Sequence, residues 1–260
     1  MDIDYHSWNL DDWVKMFEDI YKNRNEHKSE EEIWLHVVEE VAELAEDLRK
    51  QHIFPRQNSK KETEGILVNI PDTFAWFSAF IAKKRFSMED IVWNKFPNIC
   101  SYCFMETNCS CIGRSKAYSD SEKDRGYTAK EKREKELESY RAKKKGRFPD
   151  TLYGWQLMFK KIYGNVNRVQ SIEQIGFHLM EEIGEVAKEI RRSNTEELKD
   201  ELADVFAWIM GLILKCEDLL AKEILSSKLL WDRYPNSCHE CEANPCTCDG
   251  SHRKPRGEVS

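Results

Sequence analysis

Residues 178–209 read HLMEEIGEVAKEIRRSNTEELKDELADVFAWI, and their periodicity decides the fold class. Leu179, Ile183, Val186 and Ile190 recur at the spacing of one helix face, and so do Leu198, Leu202, Val205 and Ile209. Ser193-Asn-Thr-Glu196 between them predicts a capping-box start for the second helix. So short a break between two amphipathic helices implies an antiparallel hairpin. On a wheel of about 100° per residue, Glu182 falls roughly 60° and Glu185 roughly 120° to one side of the first apolar face. Glu201 and Asp204 take matching places beside the second face, with Trp208 between them. In a hairpin these acidic flanks can aim four carboxylates at one point. Carboxylates that close repel unless a cation sits among them, and hard oxygen donors suit Mg²⁺ or Mn²⁺. A lone acidic motif of this kind is usually a solvated helix face. Here it is paired, borders the core and is echoed elsewhere in the chain.

The echo is a duplication. Trp13, Phe17, Ile20 and Tyr21 recur as Trp155, Phe159, Ile162 and Tyr163. His36, Glu39, Glu40 and Glu43 recur as His178, Glu181, Glu182 and Glu185 at the same offset of 142. Asp72, Phe74 and Trp76 correspond to Asp204, Phe206 and Trp208. Trp93, Pro97, Asn98, Cys100 and Cys103 correspond to Trp231, Pro235, Asn236, Cys238 and Cys241. The expected organisation is a first repeat over 1–112, a charged and partly helical linker over 113–148, and a second repeat over 149–260. Helices around Trp155–Tyr163 and Glu217–Trp231 bring each half to about four, and strand patterns are scarce, so the fold class is all-α.

At this point Glu181-Glu182-x-x-Glu185, fifteen residues, then Glu201-x-x-Asp204 resembles the EExxE…ExxD signature of the MazG-like all-α nucleoside triphosphate pyrophosphohydrolases. The resemblance covers the helical part of each half, not the linker or the cysteine-rich tails. It implies two fused MazG-like units packed as an intramolecular pseudo-dimer, with further homodimerisation open. It also implies cleavage of a nucleoside triphosphate into monophosphate and pyrophosphate with Mg²⁺ (or Mn²⁺) as cofactor. By the resemblance Glu182, Glu185, Glu201 and Asp204 are the metal ligands and catalytic acids, with Glu181 an outer acid. No Walker-type glycine loop is present, so phosphates must be met by the metal and basic side chains. Lys188, Arg191 and Lys199 are the candidates, each otherwise an ordinary surface charge. Trp208 and its counterpart Trp76 are candidates for stacking on a base, or else core aromatics. His36 and His178 are expected to be hydrogen-bonded histidines rather than ligands.

The first half departs from the pattern. It keeps Glu40, Glu43 and Asp72, but Asn69 stands where the second half has Glu201, and Pro71 falls inside the helix. The expectation is a degenerate Mg²⁺ site over Glu40, Glu43 and Asp72.

Eight of the nine cysteines form two tetrads: Cys100, Cys103, Cys109 and Cys111, and Cys238, Cys241, Cys246 and Cys248. The spacing suits a tetrahedral Cys₄ Zn²⁺ knuckle in each half, two structural Zn²⁺ per chain. Cys248-Asp-Gly-Ser-His252 resembles the end of the CDGSH iron–sulfur motif, but the first tetrad lacks Asp-Gly-Ser-His, so the shared cysteines favour zinc. Cys216 reads as a core residue. The net charge of −7 excludes a bulk polycation for nucleic acid, and the longest apolar run, Val205–Leu214, is too short for a bilayer span. The opening residues show no signal-peptide pattern, so the expected setting is cytoplasmic, with no membrane partner. Two rival functions stay open: a nucleotide-binding sensor without turnover, and a zinc-knuckle nucleic-acid binder using the basic stretch from Arg141 to Arg147.

Overall fold

The computed structural model describes residues 3–53, 59–109, 111, 129–143 and 148–248. Among them run nine α-helices and no strand, in agreement with the periodicity. In chain order they are α1 Leu10–Asn25, α2 Glu30–Ile53, α3 Ser59–Lys84, α4 Met88–Lys95, α5 Ala129–Lys143, α6 Leu152–Val169, α7 Ile172–Arg192, α8 Thr195–Leu220 and α9 Ser226–Arg233. The order α1–α4 returns as α6–α9. Trp13 and Trp155, Phe17 and Phe159, and Ile20 and Ile162 are all sealed in one continuous core. Each large side chain so buried contributes roughly 1.5–3 kcal/mol relative to exposure.

The long helices form two antiparallel hairpins, α2 with α3 and α7 with α8. The hairpins pack face to face, α2 on α7 and α3 on α8. Trp34 Nε1 donates to the Ile183 carbonyl at 3.3 Å across this seam, and the matched rings of Phe74 and Phe206 meet there, centroids 6.3 Å apart. Equivalent elements and one pair of equivalent residues thus meet across the seam. The short helices cross over: α4 packs on α8, and α9 packs on α3.

Two local expectations change. Ser193 takes a left-handed conformation (φ 53°) that closes α7, so the cap passes to Asn194, whose side chain accepts from the Glu197 amide. Helix α8 runs on to Leu220 and stops at left-handed Ala221, so the last helix starts only at Ser226. Helix α3 continues through Pro71, because buried residues on both sides outweigh the cost of an interior proline, about 3 kcal/mol. By length and composition, Thr63–Lys84 of α3 would also suit a bilayer, yet most of it is buried in the bundle, as a core helix is.

The linker is more than a solvated spacer. Helix α5 docks on α4: Leu137 is buried, Arg141 donates to the Asn94 carbonyl at 2.5 Å, and Tyr140 stacks on Phe104. Arg141 also pairs with Glu134. That interaction takes the first residue out of the basic stretch, whose residues 144–147 lie outside the described set.

Candidate functional site

Helices α7 and α8 bring Glu182, Glu201 and Asp204 together, one carboxylate oxygen from each lying within 4.8 Å of the others. Burial, then the charges of Asp204 and Glu201, push the Glu182 carboxyl up to about 8. Burial also raises Glu201 and Asp204, although a neighbouring lysine opposes it in both. Crowded carboxylates that resist ionisation gain from a cation that neutralises them. The donor set is all oxygen, which suits a small hard divalent ion.

Glu185 is not part of this trio; its carboxylate pairs with Lys188 one turn along α7. Glu181 is exposed and hydrogen-bonds His178 at 3.0 Å. Trp208 lies against Glu182 and stacks on His178, ring centroids 4.5 Å apart. Trp76 repeats the stack on His36 at 4.1 Å. The histidines therefore hold the tryptophans. Lys199 pairs with Glu196 and lies over the Phe86 ring, and Arg191 is exposed.

A residue overlooked in the sequence sits at the centre. Lys95, from the end of α4 in the first half, is 5% exposed and places its ammonium 2.5 Å from Asp204 Oδ2 and 3.1 Å from the Asp200 carbonyl. Burial lowers its proton affinity, but the charges of Asp204 and Asp200 more than compensate, so it stays protonated. Arg133 of α5 lies over the Tyr102 ring and 3.7 Å from Asp200. The first half is built reciprocally. Arg233, from the end of α9, grips Asp72 with two hydrogen bonds of 3.0 and 2.9 Å, and the Tyr234 hydroxyl adds a third at 2.6 Å. Glu40 and Glu43 stay half-buried on α2, and Asn69 donates to Asp47 at 2.7 Å. Among the described residues, no oxygen cluster like the second-half trio forms there. The signal was present in the repeat: Lys95-Phe96 aligns with Arg233-Tyr234 between the matched Trp and Pro.

Both cysteine tetrads assemble, all thiols free and each set of four sulfurs within 4.8 Å of one another. Close Sγ pairs lie 3.4–3.8 Å apart in the first, and 3.8 and 3.9 Å apart in the second. A tetrahedron with Zn–S bonds of 2.3 Å has edges of roughly 3.8 Å, whereas a disulfide needs about 2.05 Å. The two loops share one backbone design. Asn98 and Asn236 are both left-handed, the Cys100 amide donates to the Met105 carbonyl, and the Cys238 amide donates to Ala243. Backbone amides also point at sulfur, the Thr247 amide first among those that draw the Cys241 thiol down to about 5. Residues from Asp249 onward, including the Asp-Gly-Ser-His stretch, lie outside the described set. Cys216 is fully buried, as expected of a core residue.

The family model for the MazG nucleotide pyrophosphohydrolase domain matches residues 170–224. That stretch is α7 with α8, and it contains the whole carboxylate trio but not Lys95. No curated protein and no solved structure matches the chain.

Proposed function

We propose that the protein is a Mg²⁺-dependent nucleoside triphosphate pyrophosphohydrolase working from the second-half carboxylate centre. The observation that carries this reading is the meeting of Glu182, Glu201 and Asp204 within 4.8 Å, inside the stretch matched by the family model. The three acids would hold Mg²⁺ (or Mn²⁺), with Glu185 joining them when Lys188 turns to a phosphate. When bound, the ion would supply charge neutralisation at the triphosphate and Lewis acidity toward phosphorus and water. The chain's own groups do the rest. Glu181 and Glu185 would hydrogen-bond an attacking water or accept its proton. Lys188, Arg191 and Lys199 form the nearby cationic rim for the phosphates. Trp208 braces Glu182 and offers an aromatic edge for a base.

In this reading the halves are two MazG-like units forming a pseudo-dimer, with Glu40, Glu43 and Asp72 as the remnant of a second site. The tetrads hold two structural Zn²⁺, and eight thiols kept free as ligands fit a reducing, cytoplasmic setting. A non-catalytic nucleotide sensor has one observation in its favour: Lys95 already neutralises part of the centre. Incubating the protein with each NTP and dNTP plus Mg²⁺ and assaying pyrophosphate separates the two. Release that is lost in Glu182→Gln supports the enzyme; nucleotide binding without release supports the sensor.

A further inference from the structure

The tetrads do not simply cap the ends of their own halves. The first follows α4 of the first half, yet it is fastened to α6 of the second. The Cys109 amide donates to the Ile162 carbonyl at 2.7 Å and the Asn108 amide to Lys161 at 3.1 Å. The Asn165 side chain returns a bond to the Cys109 carbonyl at 2.8 Å, and Tyr163 lies beside Cys100. The second tetrad makes the reciprocal attachment to α1: the Cys246 amide donates to Ile20 at 2.6 Å, and the Tyr21 hydroxyl to Cys238 sulfur at 3.8 Å. Ile20 and Tyr21 are the repeat partners of Ile162 and Tyr163, so one docking geometry is built twice.

We propose that each tetrad is a Zn²⁺ clasp fastening one half's tail to the opposite half. We further propose that the first clasp sets the cation affinity of the second-half carboxylate centre by holding Lys95 at Asp204. The second part rests on reading that centre as a cation site. The physical chain is short. Four thiolates stay together only around a cation, so metal binding supplies local folding free energy. The folded loop presents the amides that bind α6. Only four residues separate Cys100 from Lys95, so the loop fixes where α4 ends. A buried ammonium 2.5 Å from Asp204 competes electrostatically with a divalent ion for the same carboxylate. Opening the first clasp removes that competitor, while opening the second releases Arg233 from Asp72 and leaves the trio's surroundings unchanged.

The test uses the full chain and Mn²⁺ as probe. Zinc content, hydrogen exchange of α4 and α9, and Mn²⁺ affinity by paramagnetic resonance are measured for the wild type, Cys103→Ser, Cys241→Ser, Lys95→Met and Glu182→Gln. Cys103→Ser should lose one of two zinc ions, raise exchange in α4 by about tenfold or more, and tighten Mn²⁺ binding by about tenfold. Lys95→Met should reproduce the Mn²⁺ effect with both zinc ions kept. Cys241→Ser should lose the other zinc, loosen α9 and change Mn²⁺ binding by less than about threefold. If Cys103→Ser proves poorly folded, Asn165→Ala, which removes the side-chain bond to the Cys109 carbonyl, should show the same direction in α4. Unchanged α4 exchange in a zinc-depleted first clasp overturns the clasp. Normal Mn²⁺ affinity with α4 loosened overturns the coupling. Absence of any Glu182-dependent Mn²⁺ binding defeats the cation reading and the coupling with it, while zinc content and exchange still decide the clasp.

Discussion

Asp72 and Asp204 occupy the same position in the two halves, and each receives a cation from the other half's tail. At Asp72 the cation is a guanidinium that grips both oxygens, with the Tyr234 hydroxyl as a third donor. At Asp204 it is an ammonium on one oxygen, and Phe96, with no hydroxyl, replaces the tyrosine. Arg is always charged and forks onto a carboxylate, whereas Lys is a point charge on a flexible stem. The first corner is therefore satisfied internally, and Asn69 has turned away to Asp47. The second keeps three crowded acids with the Lys95 ammonium on one oxygen of Asp204. The comparison teaches that a carboxylate gripped on both oxygens by the protein's own cation keeps no open corner, whereas one held on a single oxygen does.

The largest expected effect breaks this comparison if it fails. Asp204→Asn or Glu182→Gln should lower pyrophosphate release by about a hundredfold or more, with helicity intact by circular dichroism. Asp72→Asn should leave most turnover. Equal losses at both corners would show that the first is not merely structural.

Next in size, Asp72→Asn should destabilise the fold by about 2–4 kcal/mol, because it leaves the part-buried Arg233 without its carboxylate. Asp204→Asn in the absence of divalent ions takes a carboxylate from the buried Lys95 but relieves repulsion within the trio, and Glu182 and Glu201 still offset the ammonium, so it should cost less. Urea unfolding of both variants measures the difference, and a larger loss at Asp204 would invert the proposed roles.

A smaller effect concerns pH. Glu182 has a folded-state value raised to about 8 from the ordinary 4.5. Between those values the folded chain keeps a proton that the unfolded chain has released, so ion-free stability falls as pH rises through this window. Thermal melts in a chelator should show that decline, and Glu182→Gln should flatten it. Divalent ions should restore stability at pH 8 more than at pH 5, because at pH 5 they must first displace the proton.

The smallest effect sharpens the comparison at one atom. Tyr234→Phe makes the first corner resemble Phe96 in the second and should cost about 1 kcal/mol. A neutral result would leave the guanidinium as the whole of the lock.

Much of this was legible in the residues. Period-3.6 apolar spacing is a local property, so the hairpin of α7 and α8, its twin α2 and α3, and the acidic flanks could be read directly. The repeat of Trp13 as Trp155 and the paired cysteine spacings are equally plain. Helix ends were less legible, because Ser193 could cap either the helix behind it or the one ahead. Helix angle and the family resemblance both put Glu185 with the trio, and neither speaks of Lys188 competing for it.

What the sequence determined by itself was therefore local or repeated: helices, two halves, two thiol tetrads and which carboxylates share a helix flank. Which half's tail meets which half's acids was decided only in three dimensions. Lys95 facing Asp204 and Arg233 facing Asp72 would have the same sequence pattern if each tail had folded back on its own hairpin. The exchange is set by packing across the seam, where α4 finds α8 and α9 finds α3. Such contacts between distant segments leave no periodicity for a linear reading to detect.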